Sequence, residues 1–173
     1  MHARASRSGH FVGELLVKDQ MVIRTLVRTD FPEWKVLWDG YNAFYGRVGE
    51  TALSDDITGM TWSRFFDAYE PMHAVVAETS GNLIGLAHVL LHRSTIQIAP
   101  TVYLQDVFTV GHARGRGAGR ALIEAVYEYA AVVGSPRVYW HTHETNSVAR
   151  QLYDKVAERS GFIVYGKTVP ERR

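Results

Sequence analysis

The sequence predicts an α/β domain, α+β in its mixed order, built on a mixed sheet with helices on both faces. Three observations carry that prediction. Apolar runs of strand length follow one another without an intervening helix over Ala74–Glu78, Leu83–His92 and Val102–Val110, which reads as a hairpin and meander. After Val110, helical and strand patterns alternate, the arrangement that builds parallel pairing. The chain has 173 residues, 46% of them hydrophobic, enough for one domain with a real core.

In chain order, Val22–Val27 reads as a first strand. Asp30 stands three residues before Glu33, with Pro32 in the first turn, a helix start. Trp34, Leu37, Trp38, Tyr41, Phe44 and Tyr45 follow at helical spacing, as a core-facing stripe or as the lining of a substrate cleft. Residues 46–59 read as a loop or short helix, and Thr61–Tyr69 as a second short helix stopped by Pro71. Ser80-Gly81-Asn82 joins the hairpin strands. Gly117–Val133 is a long helix with Ala118, Ala121, Leu122, Ala125, Tyr129 and Val133 on its apolar stripe, ended by Gly134-Ser135-Pro136. Arg137–Thr142 is a strand. Thr145-Asn146 caps a last helix striped by Ala149, Leu152, Tyr153 and Val156. Gly161 ends that helix, and Phe162–Val169 reads as the final strand. Residues 1–20 are expected as a flexible N-terminal extension, with a single domain over residues 21–173.

The bulk numbers exclude several classes. A net charge of +1 offers no field for nucleic acid or an anionic membrane. No apolar run approaches the roughly 20 residues that span a bilayer, and residues 1–20 lack the apolar core of a secretory signal. With 0 cysteines there is no disulfide, thiolate metal site or thiol nucleophile. A reducing, cytoplasmic setting fits that composition.

One stretch concentrates chemistry: Tyr103 to Leu122, Y-L-Q-D-V-F-T-V-G-H-A-R-G-R-G-A-G-R-A-L. A strand breaks into a loop with Gly115, Gly117 and Gly119 at alternate positions, among Arg114, Arg116 and Arg120, and a helix begins at once. Glycines let backbone N–H groups approach a ligand, and a helix start adds unpaired donors and the positive end of a dipole. Such a turn suits phosphate.

These residues resemble the GCN5-related N-acetyltransferase (GNAT) family. Arg114-Gly115-Arg116-Gly117-Ala118-Gly119 fits the family's R/Q-x-x-G-x-G/A pattern, with V-F-T-V before it and A-L-I-E-A-V after it. Asn146 through Tyr153 is similar to its second motif, N-x-x-A-x-x-x-Y. Y-L-Q-D-V-F, R-V-Y-W-H-T-H-E-T-N and L-Y-D-K-V resemble the Hpa2-like branch, and Y-L-x-D-x-F is also similar to the diamine acetyltransferases. The resemblance covers Val22 to Val169. It implies the acyl-CoA acyltransferase fold, a mixed and mostly antiparallel sheet of about six or seven strands flanked by four helices. It also implies acetyl transfer from acetyl-CoA to an amine, with no metal. Backbone groups from Phe108 through Thr109 to Val110 would hold the pantetheine and thioester. The amides of Arg116, Gly117, Ala118, Gly119 and Arg120, with Arg114 and Gly115 beside them, would take the pyrophosphate. Asn146 would support the cofactor arm and Tyr153 would face the sulfur.

The chemistry then needs a base and an acid. A free alkylamine with a pKa of about 10.4 is almost wholly charged at pH 7 and must lose a proton before attack. In the diamine branch a carboxylate two positions after the strand tyrosine is a proposed base; here that position is Gln105. Asp106 follows, and in a regular strand its side chain points to the opposite face; a bulge would re-aim it. His88 and His92 stand four apart on one strand, and His141 and His143 bracket one position; each pair reads as structural, exposed or catalytic. His141, His143 and Glu144 are a weak metal pattern. Tyr153 is a phenol able to protonate the leaving thiolate, or a core residue on its stripe.

The expected activity is direct acetyl transfer to a primary amine of a small polyamine-like molecule, an amino acid or a protein lysine. Glu50, Asp55, Asp56, Asp67 and Glu70 would suit a cationic acceptor, or are solvated charges. The rival reading is a non-catalytic acyl-CoA sensor, left open by Gln105. Expected partners are acetyl-CoA, the amine and a second copy in a homodimer, without nucleic acid or membrane.

Overall fold

Strand formation in this chain begins with two β-rich runs that meet across a two-residue turn. Met72–Thr79 (β3) and Asn82–His92 (β4) pair antiparallel from Thr79↔Asn82 to Met72↔Leu90, joined by Ser80-Gly81. The computed structural model describes residues 15–17 and 21–170. Leu15–Val17 (β1) and Met21–Thr25 (β2) lie on one side of the hairpin; Thr101–Thr109 (β5) and Val138–Tyr139 (β6) lie on the other. The sheet runs β1-β2-β3-β4-β5-β6, antiparallel throughout except for a parallel β5–β6 pair, and the described residues include four α-helices, as expected. β1 falls inside the segment expected as an extension; residues 1–14 and 18–20 lie outside the described residues.

The sheet of six strands has both faces covered, because alternate residues of its central strands serve different helices. Ala74 and Val76 of β3 and Leu86 of β4 pack with Trp34, Leu37 and Trp38 of Phe31–Phe44 (α1). The intervening residues face Ala118–Val132 (α3): His73 meets Tyr129 at 5.1 Å, and Val75, Ala77, Ala87 and Val89 are buried. Alanines at 118, 121 and 125 let α3 lie close to the strands. At the entry to α1, Arg24 donates to Asp30 from both terminal nitrogens, at 2.7 and 3.0 Å, and from Nε to Glu78 at 2.7 Å. Burial alone would raise the Asp30 carboxyl; the Arg24 guanidinium and the Val27 amide together hold it below its ordinary range. That clamp ties β2 and β3 to the first turn of α1.

Three expected elements differ. The second helix is Asp55–Arg64 (α2), not Thr61–Tyr69, because Ser54 accepts from the Ile57 N–H at 3.4 Å and caps it. Asp55 and Asp56 therefore stand in a helix first turn, where the dipole favours them. The expected strand Arg137–Thr142 is only two residues long, Val138–Tyr139. No strand forms over Phe162–Val169: Phe162, Ile163, Val164 and Tyr165 are all exposed and pair with no sheet edge among the described residues. Strand propensity is realised only where a pleated surface packs and pairs.

Contacts divide the chain into two compact units, Met1–His141 with the sheet and α1–α3, and Thr142–Arg173 with Ser147–Val156 (α4). In the second unit α4 half-buries the expected stripe Ala149, Leu152, Tyr153 and Val156 while Ser147, Val148, Gln151, Asp154 and Lys155 are exposed.

Candidate active site

β5 does not run regularly. His88 pairs with Asp106 and Val89 with Leu104, so Gln105 is an extra residue with no partner on β4. This is a β-bulge, and it shifts the alternation by one. Tyr103 faces the α1 side, Leu104 is buried towards α3 and Gln105 is exposed. Asp106 then returns to the α1 side, beside Tyr103. The expectation that Asp106 faces away from Tyr103, drawn from a regular strand, is corrected. Asp106 occupies the place on that face where unbroken alternation would put Gln105.

Asp106 ends a chain of buried hydrogen bonds. Trp34 Nε1 donates to His88 Nε2 at 3.0 Å, and His88 Nδ1 meets Asp106 Oδ2 at 2.9 Å. An indole nitrogen only donates, so Nε2 accepts and Nδ1 carries the ring proton, which it donates to the carboxylate. A doubly protonated ring would turn N–H towards N–H at Trp34. The imidazole is therefore a fixed neutral donor, and Asp106 the acceptor. Trp34, His88 and Asp106 are 0%, 1% and 7% exposed, so the geometry is held by packing. Trp38 and Phe65 enclose the imidazole at 5.4 and 4.6 Å between ring centroids.

The other side of Asp106 is phenolic. Burial first, then the negative charge of Asp106, pushes the Tyr41 phenol far above its ordinary value and keeps it protonated. Burial and Asp106 also raise Tyr45 and Tyr103. Tyr41 and Tyr45 meet edge to face at 5.1 Å, and Phe108 of β5 approaches Tyr41 at 6.5 Å. α1 comes so close here that a Cβ on Gly40 would lie 2.9 Å from Phe108 Cζ. A larger residue at 40 would displace that ring.

Beyond Phe108 the strand ends in the glycine loop. The Val110 N–H bonds to Ile84 O at 3.0 Å, and a single turn, Gly111–Ala113, follows. Gly115 and Gly117 take φ values of 75° and 92°, a region that side chains disfavour. Gly117 opens α3 with no side-chain cap, and the first amide to bond back is Ala121, to Gly117 O at 2.9 Å. The amides of Ala118, Gly119 and Arg120 have no intrahelical carbonyl and stand at the positive end of a 15-residue helix. Arg114 and Arg116 are exposed, and Arg120 reaches Glu124 at 3.7 Å. Among the described residues, parallel pairing of β5 with β6 covers only Val102↔Val138 and Tyr103↔Tyr139, so β6 does not pair with Phe108 or Thr109. A strand end that β6 does not pair, leading to an uncapped helix start, fits a ligand with an amide-bearing arm and a diphosphate.

In the second unit, Asn146 caps α4. Its Oδ1 accepts from the Ala149 N–H at 3.4 Å and its Nδ2 donates to Thr142 Oγ1 at 3.4 Å. Tyr153 is half-buried about two turns further along the same helix. The other candidate histidines are engaged separately: His92 Nε2 with Tyr139 at 3.0 Å, His141 with Tyr103 at 3.1 Å and His143 with Thr145 at 2.7 Å. Among the described residues no group of three or more His, Asp or Glu could hold a metal ion, and no helix is long and apolar enough to cross a membrane.

Sequence reasoning missed the pairing of His88 with Asp106 and the contact of Trp34 with that histidine. The helical spacing of Trp34, Trp38 and Tyr41 was the visible signal; the strand register that joins them to Asp106 was not.

Comparison with known proteins bears on this geometry. The model of the acetyltransferase (GNAT) family matches residues 34–157. The D-amino-acid N-acetyltransferase HPA3 of Saccharomyces cerevisiae is 33% identical over 154 residues, 88% of this chain and 93% of the yeast protein. The uncharacterized N-acetyltransferase YhfO of Bacillus subtilis is 29% identical over 157 residues, 88% of this chain and 100% of that one. Among solved structures, AAC(6')-Iy in complex with the bisubstrate analog CoA-S-monomethyl-acetylneamine superposes with a TM-score of 0.74 at 18% identity, over 88% of this chain and 100% of that one. A ribosomal-protein-alanine N-acetyltransferase from Brucella melitensis gives 0.72 at 18% identity, over 87% and 100%. The chain belongs to the acetyltransferase (GNAT) family and is an N-acetyltransferase.

Proposed function

We propose that the protein transfers the acetyl group of acetyl-CoA directly to the primary amine of a free amino acid, with Asp106 as general base. Acetyl-CoA supplies an activated thioester. The chain's own residues do the rest. Amides from Arg116 to Arg120 bind the diphosphate, with Arg114 and Gly115 at the turn, and the Phe108–Val110 edge aligns the arm. Asn146 supports that arm. The Asp106 carboxylate takes a proton from the acceptor ammonium, freeing the nitrogen lone pair for the thioester carbon. As the C–N bond forms and the C–S bond breaks, the Tyr153 phenol gives a proton to the departing sulfur, the nitrogen passes its second proton to water, and the phenolate regains a proton from solvent. No covalent enzyme intermediate is required.

The bulge at Gln105 carries this reading, because it turns Asp106 onto the face lined by Tyr41, Tyr103 and Phe108. The sensor reading drew its support from the lack of a carboxylate at Gln105, and Asp106 on that face removes that ground. An amino acid is favoured as acceptor because the yeast relative is named for D-amino acids.

The test is CoA thiol release over a panel of L- and D-amino acids, diamines and lysine peptides. Free amino acids are expected to turn over with a kcat/KM at least ten-fold above the other classes. Turnover confined to diamines or peptides would contradict the acceptor, and binding of acetyl-CoA without turnover on any amine would contradict the activity.

A further inference from the structure

The C-terminal end of α1 carries a cation held in place, among the described residues, without a counter-ion. Arg47 donates from Nε to Asn42 Oδ1 at 2.7 Å, and its own backbone N–H bonds to Asn42 O at 3.0 Å. Asn42 is 5% exposed, and its Nδ2 donates to Trp38 O at 2.8 Å, which fixes the amide with its oxygen towards Arg47. The guanidinium lies over the rings of Tyr41 and Tyr45, at 5.7 and 5.4 Å from their centroids. Among the described residues no carboxylate lies within ion-pairing distance of it. Only Nε is used by Asn42, so the paired donors on the two terminal nitrogens remain for an external acceptor, and a carboxylate matches that fork.

Tyr41 joins this cation to the proposed base. Its phenol feels the charge of Asp106 and its ring lies under Arg47, so a negative and a positive group both act on this one side chain of the aromatic wall. We propose that Arg47 binds the carboxylate of the acceptor, making the site selective for zwitterionic amino acids over amines that lack a carboxylate. This rests on the reading of Asp106 as the amine-facing base. The acceptor ammonium is drawn to Asp106 and its carboxylate to Arg47. A diamine places a second positive charge against Arg47 and is repelled, so opposite charges on one wall choose between the two small-molecule acceptors that the sequence alone left open.

The experiment measures kcat/KM for amino acids against their own amides, with a diamine as a third acceptor, in the wild type, Arg47→Gln and Arg47→Lys. Calorimetry on the same proteins, with CoA present, compares binding of an N-acetylamino acid and its amide. The wild type is expected to favour acid over amide by about 10- to 100-fold, mainly in KM, the range expected for hydrogen bonds between charged groups. In Arg47→Gln that ratio falls towards one, and Arg47→Lys keeps part of it. An acid-to-amide ratio that does not change in Arg47→Gln overturns the proposal, as does an effect confined to KM for acetyl-CoA, which would make Arg47 a cofactor contact. If the wild type acetylates no amino acid, the acceptor reading fails separately, and calorimetry decides for Arg47. Weaker binding of the N-acetylamino acid in Arg47→Gln supports the carboxylate site, and equal binding overturns it.

Discussion

His88 owes its role to its two nitrogens having different partners. Trp34 occupies Nε2 as a donor, so Nδ1 has one task, to donate to Asp106. Removing the ring would leave a buried carboxylate without its fixed donor, free to turn from the acceptor. His88→Phe is expected to lower kcat by about 10- to 100-fold with KM for acetyl-CoA unchanged, because a misplaced catalytic group is felt in the chemical step. His88→Gln, which can still donate to Asp106 and accept from Trp34, should recover part of the loss. Stopped assays that separate kcat from KM in the three proteins decide this; equal losses in both variants would assign His88 to packing alone. The sequence held His88 and Asp106 eighteen residues apart, with nothing local to join them. What joins them is register, a property of two strands together.

At the scale of elements, the signals that were legible were local ones. The Ser80-Gly81 turn, the glycine loop running into α3 and the Asn146 cap each depend on a few neighbouring residues, and each stands where it was expected. α2 begins at Asp55, within the stretch expected as a loop or short helix, because Ser54 caps it there. The expected strand at Phe162–Val169 had the composition but not the partner. The bulge was legible only as a condition, since a regular β5 and a bulged one have the same sequence. It is also the feature with the most specific consequence. Exchanging the two residues, Gln105→Asp with Asp106→Gln, keeps composition and charge but moves the carboxylate to the exposed position of the bulge. Turnover is expected to fall about as far as in Asp106→Asn, with the thermal midpoint little changed. An exchanged protein that retains wild-type kcat would show that the face of the strand does not matter.

For the whole molecule, the fold and the acceptor are separate questions. The aminoglycoside and ribosomal-protein acetyltransferase structures share this chain's architecture at 18% identity, so the fold persists while most side chains differ. In the proposed site the side chains around the acceptor come largely from α1: Trp34 supports the proposed base, Tyr41 borders it and Arg47 follows the helix end. That explains why the sequence spoke clearly for acyl-CoA and weakly for its amine. On the proposed reading, cofactor recognition uses backbone donors that a glycine pattern reveals, whereas acceptor recognition uses side chains assembled across α1, β4 and β5. The near-neutral net charge of +1 adds no preference of its own, so selectivity rests on where single charges stand.

The most direct test of the account is the turnover of Asp106→Asn on an amino acid acceptor, set beside its measured affinity for acetyl-CoA. Loss of the general base predicts a kcat lower by roughly 10²- to 10⁴-fold with acetyl-CoA bound as tightly as by the wild type. A variant that turns over at the wild-type rate would contradict it, since the proton would then leave the amine by another route.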